Sequence, residues 1–264
     1  MTVISSTQNR YVKLYRSLEK RKIRIQQNLV PLEGEKLIRD AIERRVLPEV
    51  VYLREGLTPE EFPFLQALES QVPVLSIAEK LFDRTAFTDS PQGILAVAPR
   101  PKSDLTDLFV KKPALLLVAD GVQDPGNLGT MLRSAAAAGA DGAILLPGTV
   151  DATNPKALRA AMGAYFALSV VETNHQDCLS ALAGHGVSLV TTAARAEVAY
   201  DRYDWNTPVA VVIGNEGSGV SPAMAEAAKS RVSIPMAGAV ESLNAAIAMS
   251  VIFFEAARQR RKLV

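Results

Sequence analysis

The stretch that decides the fold is Pro208-Val-Ala-Val-Val-Ile-Gly-Asn-Glu-Gly-Ser-Gly219, followed after a short helical segment by Arg231-Val-Ser-Ile-Pro-Met-Ala-Gly-Ala-Val-Glu-Ser-Leu-Asn244. Two runs rich in Val and Ile, each opening into a loop of Gly, Ser, Asn or Pro, read as buried parallel strands. Ligands of open α/β sheets sit at the C-terminal ends of such strands. Gly214, Gly217 and Gly219 allow a close backbone approach, but their order is not that of a dinucleotide fingerprint and no Lys follows as in a P-loop. Glu216 lies among them, and a carboxylate repels a di- or triphosphate at short range. The expected guest is therefore nucleoside-like, without phosphates and with positive charge. S-adenosylmethionine has both properties.

The same half of the chain begins with an apolar strand at 114–119. A loop through Asp124-Pro-Gly-Asn127 follows, with Asn127 expected to cap a helix over 128–138 that carries Arg133. Further strands are expected at 142–146, 166–171 and 187–191, and a helix beginning at Asn154-Pro155 carries Lys156 and Arg159. The final helix, from about 243 to 261, is apolar nearly all round. Such a helix is expected to be covered on both sides, which predicts a partner subunit. Arg258, Arg260, Arg261 and Lys262 suit its C-terminus. Residues 1–100 alternate short strands and helices and form a second, smaller α/β domain. The Pro-containing, charged stretch 101–113 reads as the linker between them.

Hydrophobic content of 48% and charged content of 22% are ordinary for a globular chain and identify no function. The charge is unevenly placed, because seven of the basic residues lie between Arg10 and Arg24 against a single acid, Glu19. A helix over 6–25 with a basic face is expected there, offering Lys13, Arg16 and Lys20 to solvent or to phosphates. Cys178 is the sole cysteine, which excludes an intrachain disulfide and a thiolate metal cluster. No secretory pattern and no run of about 18 apolar residues occurs, so a cytoplasmic protein is expected. His175 and His185 read as surface residues, and no hydrolase nucleophile arrangement is present.

Three stretches then line up: 124–133, 211–219 and 233–244. Together they resemble the three motifs of the SpoU/TrmH family of RNA ribose 2′-O-methyltransferases, within the SPOUT superfamily. The N-terminal Leu29-Val-Pro-Leu-Glu-Gly-Glu-Lys-Leu-Ile38 is similar to the substrate-binding domain of rRNA-directed members. The resemblance implies an α/β fold whose C-terminal domain, 114–264, threads a trefoil knot around a parallel sheet, beside a small RNA-binding α/β domain at 1–100. It also implies a homodimer with the last helix in the interface, S-adenosylmethionine as cofactor and no metal.

Carried onto this sequence, the resemblance implies a polar functional set of Asn127, Arg133, Glu216, Ser242 and Asn244. The cofactor pocket would use Gly214, Ile234 and Leu243, with Met236 and Ala193 beside them. RNA would be met by Lys13, Arg16, Lys20 and Arg159. The expected reaction is methyl transfer to a ribose 2′-OH of structured RNA, with 23S rRNA the expected substrate. A tRNA 2′-O-methyltransferase, a non-catalytic RNA-binding protein on the same fold and a dinucleotide-dependent oxidoreductase are the alternatives. A guanidinium stays protonated at neutral pH. Arg133 is therefore expected to clamp a phosphate and stabilise a developing alkoxide rather than remove a proton.

Overall fold

The computed structural model describes residues 2–66, 68, 72–110, 114–238 and 240–261, and its contacts divide the chain into two units. The first comprises Met1–Pro101 together with Thr153–Phe166, the second Lys102–Ala152 together with Ala167–Val264.

In the first unit the chain runs β1 (Val3–Ile4), α1 (Arg10–Ser17), α2 (Arg21–Gln27), β2 (Leu29–Glu33), α3 (Glu35–Glu43), β3 (Val50–Arg54), α4 (Pro63–Gln66), β4 (Val74–Ile77), α5 (Glu79–Thr85) and β5 (Ile94–Pro99). The five strands form one mixed sheet in the order β1-β4-β3-β5-β2. Pro31 is tolerated in β2 because that strand is at the sheet's edge, where a missing N–H costs least. Tyr15, Tyr52 and Phe82 are fully buried in the core, with Tyr15 edge-on to Tyr52 at 5.7 Å.

The single basic helix expected over 6–25 is two helices, broken at Leu18–Lys20. The reason is Arg24. Its guanidinium is 1% exposed and donates to the carbonyls of Leu18 and Glu19, each at 2.7 Å, and to Thr153 Oγ1 at 3.0 Å. Carbonyls that an unbroken helix would have satisfied internally are satisfied by this side chain instead. Arg24 therefore leaves the basic face, while Lys13, Arg16 and Lys20 stay exposed.

Helix α7 (Pro155–Ala161) belongs to the same unit although it follows the linker in sequence. It starts where expected, and Asn154 caps it by accepting from the Lys156 N–H at 2.9 Å. It ends on Met162 and Gly163 with φ of 49° and 80°, and a Cβ on Gly163 would lie 2.2 Å from the Asp40 carboxylate of α3. Glycine is required there on both counts. Chain order had placed this stretch with 114–264; the buried Glu33 and Arg24, which contact Arg159 and Thr153, draw it to the first unit. The helix expected over 62–70 is described as α4 alone, with residues 67 and 69–71 outside the described residues.

Among the described residues the second unit holds seven strands, every neighbouring pair parallel. In chain order its elements are β6 (Leu115–Asp120), α6 (Pro125–Ala137), β7 (Gly142–Leu145), β8 (Ser169–Glu172), α8 (His175–Gly184), β9 (Ser188–Thr192), β10 (Val198–Ala199), β11 (Val209–Gly214), α9 (Pro222–Ala227), β12 (Ser230–Ser233) and α10 (Ala245–Arg260). The order across the sheet is β10-β12-β9-β11-β6-β7-β8. β6 and β11 sit side by side at its centre and every residue of both is buried, the condition expected of apolar strands covered on both faces. The chain moves outward from β6 through β7 to β8, then returns to the other side. This reversal opens a crevice at the C-terminal ends of β6 and β11.

The expected linker is not free of the second unit, because Leu108, in a 3₁₀ turn over Leu105–Phe109, is fully buried in that unit's core. At the other end, α10 packs on α6, with Ser250 Oγ donating to Ser134 Oγ at 2.7 Å. Arg260 does not serve the helix end as expected. It reaches the carbonyls of Trp205, Thr207 and Ala114 at 2.8–3.0 Å, and Arg258 pairs with Glu255 at 2.7 Å. Arg261 does donate to a carbonyl of the last turn, that of Ala257. Lys262 lies outside the described residues.

Candidate functional site

The parallel arrangement brings the loops after β6, β9, β11 and β12 to one edge of the second unit's sheet. There the loops after β9, β11 and β12, with the start of α10, line a cavity of about 440 Å³. Ala193, Gly214, Ile234, Met236 and Leu243 all face it, and so do Glu216, Ser242 and Asn244. Eight of the ten positions expected of a cofactor and catalytic site are thus one surface.

Asn127 joins that surface by hydrogen bonds. Asn244 is the N-cap of α10, its Oδ1 accepting from the Ala246 and Ile247 N–H groups at 2.9 and 3.3 Å. Its Nδ2 donates to Asn127 Oδ1 at 3.0 Å, and Asn127 Nδ2 donates to Glu216 Oε1 at 2.9 Å. The chain of donors therefore runs one way and ends on a carboxylate. Partial desolvation works against the charged form of Glu216, but hydrogen bonds from Asn127 and from the backbone of Glu216, Gln123 and Asp124 outweigh it and hold the carboxyl below its ordinary range.

The helix cap expected of Asn127 is supplied by Asp124, whose Oδ1 accepts the Asn127 N–H at 2.8 Å; α6 accordingly starts at Pro125. An Asp at N-cap followed by Pro at N1 is a preferred helix start. This leaves the Asn127 side chain free for the network.

Gly214 allows a close approach, but of a different partner than expected. A Cβ there would sit 2.2–2.4 Å from backbone atoms of Gly219 and Val220. The loop folds back on itself through paired Asn215 and Gly219 backbone hydrogen bonds of 2.9 Å, and Gly219 turns it with φ of 73°. Absence of a side chain at 214 thus permits the loop's own return, which shapes the cavity wall.

Arg133 does not line the cavity. It is exposed on α6, six residues beyond Asn127, and makes no hydrogen bond or ion pair among the described residues. Glu216 holds Asn127 and not Arg133. Arg159 lies in the first unit with its NH1 3.8 Å from the buried Glu33, so its charge is engaged within the protein.

Sequence reasoning missed two residues that build this edge. Asn215 Nδ2 donates to the Gly121 carbonyl at 2.9 Å, and its Oδ1 accepts from the Gly217 and Ser218 N–H groups at 2.9 and 3.0 Å. It ties the loops of β6 and β11 together; the signal was an Asn directly after a strand, able to form an Asx turn. Asp120, 3% exposed, accepts from the Ser221 N–H at 2.7 Å and meets His175 Nε2 at 3.2 Å. His175 is therefore a partner of a buried carboxylate rather than a plain surface residue. Cys178 is buried, and burial together with Asp120 pushes its thiol up to about 12, so it holds no nucleophile at neutral pH. Among the described residues no group of three or more His, Cys, Asp and Glu is placed to hold a metal.

Residues 114–254 match the model of the SpoU rRNA Methylase family, and residues 9–96 that of the MRM3-like substrate binding domain. The chain is 35% identical to the 23S rRNA (guanosine(2553)-2′-O)-methyltransferase RlmP of Bacillus subtilis over 96% of this chain and 98% of that protein. The fold is similar to that of the AdoMet-bound rRNA methyltransferase from Sinorhizobium meliloti, with a TM-score of 0.87 and 32% identity over 100% of this chain and 98% of the other. The SpoU methyltransferase AviRb from Streptomyces viridochromogenes, in complex with AdoMet, superposes with a TM-score of 0.85 and 29% identity over 96% and 100% of the two chains.

Proposed function

The chain belongs to the SpoU rRNA methylase family, and from that premise we propose that it transfers a methyl group from S-adenosylmethionine to a ribose 2′-OH of 23S rRNA. The observation that carries the reading is the directed chain Asn244–Asn127–Glu216 at the rim of a cavity whose wall is shaped by a glycine turn.

The residues present fit a nucleoside-like cofactor. The fold-back at Gly214 draws the 214–219 loop into the cavity wall, and Ile234, Met236 and Leu243 give the cavity an apolar lining beside that loop. Its sulfonium supplies an already activated methyl group. Glu216 is held ionised at the rim, which favours a cationic guest over a phosphate.

The chain's own residues then have separate tasks. Asn127 and Asn244 are locked to one another and fix the distance between the start of α6 and the start of α10. Ser242 and Asn244 present polar groups where the sugar would lie. Arg133 extends from α6 with its charge uncommitted and serves to grip an RNA phosphate and to stabilise the oxygen as its proton leaves. Alignment of two bound reactants supplies roughly 7–11 kcal/mol in favourable systems, so positioning carries much of the catalysis. Incubating the protein and total RNA with methyl-labelled S-adenosylmethionine tests the reading: label in RNA as 2′-O-methyl nucleoside supports it, and unlabelled RNA removes it.

The N-terminal unit is assigned to RNA binding through the exposed Lys13, Arg16 and Lys20. Changing all three to Glu is expected to weaken RNA binding and to lower the slope of log affinity against log salt by about 2–3. An unchanged slope in a filter-binding series would return this face to ordinary solvation.

The working form is assigned as a homodimer in the cytoplasm, with the trefoil threading implied by the family motifs. α10 supports the first point. Ile247 and Phe254 are 52% and 48% exposed, with Val251 half-buried between them, a stripe at helical spacing that the chain alone leaves uncovered. Burying each such side chain is worth about 1.5–3 kcal/mol. Ile247→Glu with Phe254→Glu is expected to yield monomers by sedimentation, whereas a dimer that survives both charges would place the interface elsewhere.

A further inference from the structure

On the opposite side of β9 from the cofactor cavity lies a second cavity, of about 540 Å³, also within the second unit. Successive residues of a strand point to opposite faces, and β9 shows it: Thr192 lines the first cavity and Thr191 the second. Arg195, Lys229 and Arg231 line this second cavity against one acid, Glu197.

Its three cations are exposed, and the buried hydroxyl of Thr191 is what makes it more than a patch of surface charge. Arg195, Lys229 and Arg231 have no ion-pair partner among the described residues, although residues 113–264 as a whole carry more acidic than basic side chains. Thr191 is 2% exposed, yet its Oγ1 makes no hydrogen bond among the described residues. A buried hydroxyl without a partner is costly, and such groups in folded proteins call for a missing partner. The partner that satisfies the hydroxyl and also balances three cations is an oxyanion.

We propose that this cavity is a phosphate-binding site, with Arg195, Lys229 and Arg231 supplying charge and Thr191 Oγ1 a hydrogen bond to a phosphate oxygen. Neither the cofactor cavity nor the polar set around Asn127 takes part in it. The phosphate comes either from an RNA backbone or from free phosphate in solution, and the two sources are separable by experiment.

The test follows backbone amide resonances of the full-length protein by NMR during titration with inorganic phosphate, then with a short RNA oligonucleotide. Saturable shifts centred on Thr191, Lys229 and Arg231 are expected with phosphate. Thr191→Val is expected to weaken phosphate binding about tenfold, Thr191→Ser to preserve it, and the triple change of Arg195, Lys229 and Arg231 to Gln to abolish it. RNA that moves the same amides and is displaced by phosphate makes the RNA backbone the source. RNA that leaves them unmoved makes the source free phosphate. The absence of a saturable shift at these amides in the unmodified protein overturns the proposal, as does phosphate affinity unchanged in both the Val and the triple Gln variants. No methyl transfer is measured, so the result is independent of the enzymatic reading.

Discussion

Arg133→Ala is expected to lower methyl transfer by about 10²–10³-fold, the loss typical of removing one donor that stabilises a developing oxyanion. S-adenosylmethionine affinity should stay within about twofold, since Arg133 does not line the cavity proposed for the cofactor and makes no hydrogen bond among the described residues. Being exposed, the side chain contributes little packing, so the melting temperature should not move. Lysine at this position keeps a charge but not the planar, two-pronged grip on a phosphate, and is expected to restore only part of the rate. The pair of measurements is a single-turnover labelled-methyl assay and calorimetry with the cofactor. Near-normal turnover in the alanine variant would remove Arg133 from the mechanism.

The second large effect is expected at Gly214, and it acts on the other substrate. Gly214→Val adds atoms where even a Cβ would lie 2.2 Å from the carbonyl carbon of Gly219. Backbone cannot give way as a flexible side chain does, so the returning limb of the loop must shift. Its displacement disturbs the Asn215–Gly219 pairing and the seat of Glu216. Cofactor affinity is expected to fall by at least about tenfold, an effect of the size produced by misplacing a few binding contacts. RNA binding through the N-terminal unit should persist. Unchanged S-adenosylmethionine affinity in calorimetry would refute the placement of the cofactor.

Much of this was legible in the chain before its structure. β6 and β11 announce themselves as unbroken apolar runs because both their faces are covered, and in open α/β sheets ligands sit at the C-terminal ends of such strands. The five positions expected from the motifs to hold the cofactor all line one cavity. What sequence did not yield depends on which distant groups meet. Arg24 reads as one more cation on a basic helix, yet the chain breaks at Leu18–Lys20 and the guanidinium takes up the loose carbonyls. Arg159 reads as a solvent-facing base until Glu33 is seen to be buried beside it. Asn127 and Asp124 are both good caps by residue type, and only the loop's course decides that Asp124 does it. Thr191 is an unremarked strand residue whose interest lies wholly in the hydrogen bond it lacks.

The division of labour also explains the placing of charge. The Glu216 carboxylate stays ionised because the donor chain from Asn244 through Asn127 ends on it. Its contribution is present above the ordinary carboxylate range and is lost as the pH falls through its lowered value. The cations proposed to meet RNA, Lys13, Arg16, Lys20 and Arg133, are exposed, and none of them lines the cavity that holds Glu216.

The most direct test of the central claim is mass-spectrometric mapping of 2′-O-methylated nucleosides in rRNA and tRNA from cells with and without the gene. One 2′-O-methyl nucleotide of 23S rRNA is predicted to disappear on deletion and to return with the intact gene, but not with the Arg133→Ala form. Identical methylation maps, or the loss of a tRNA mark with the 23S rRNA unchanged, would contradict it.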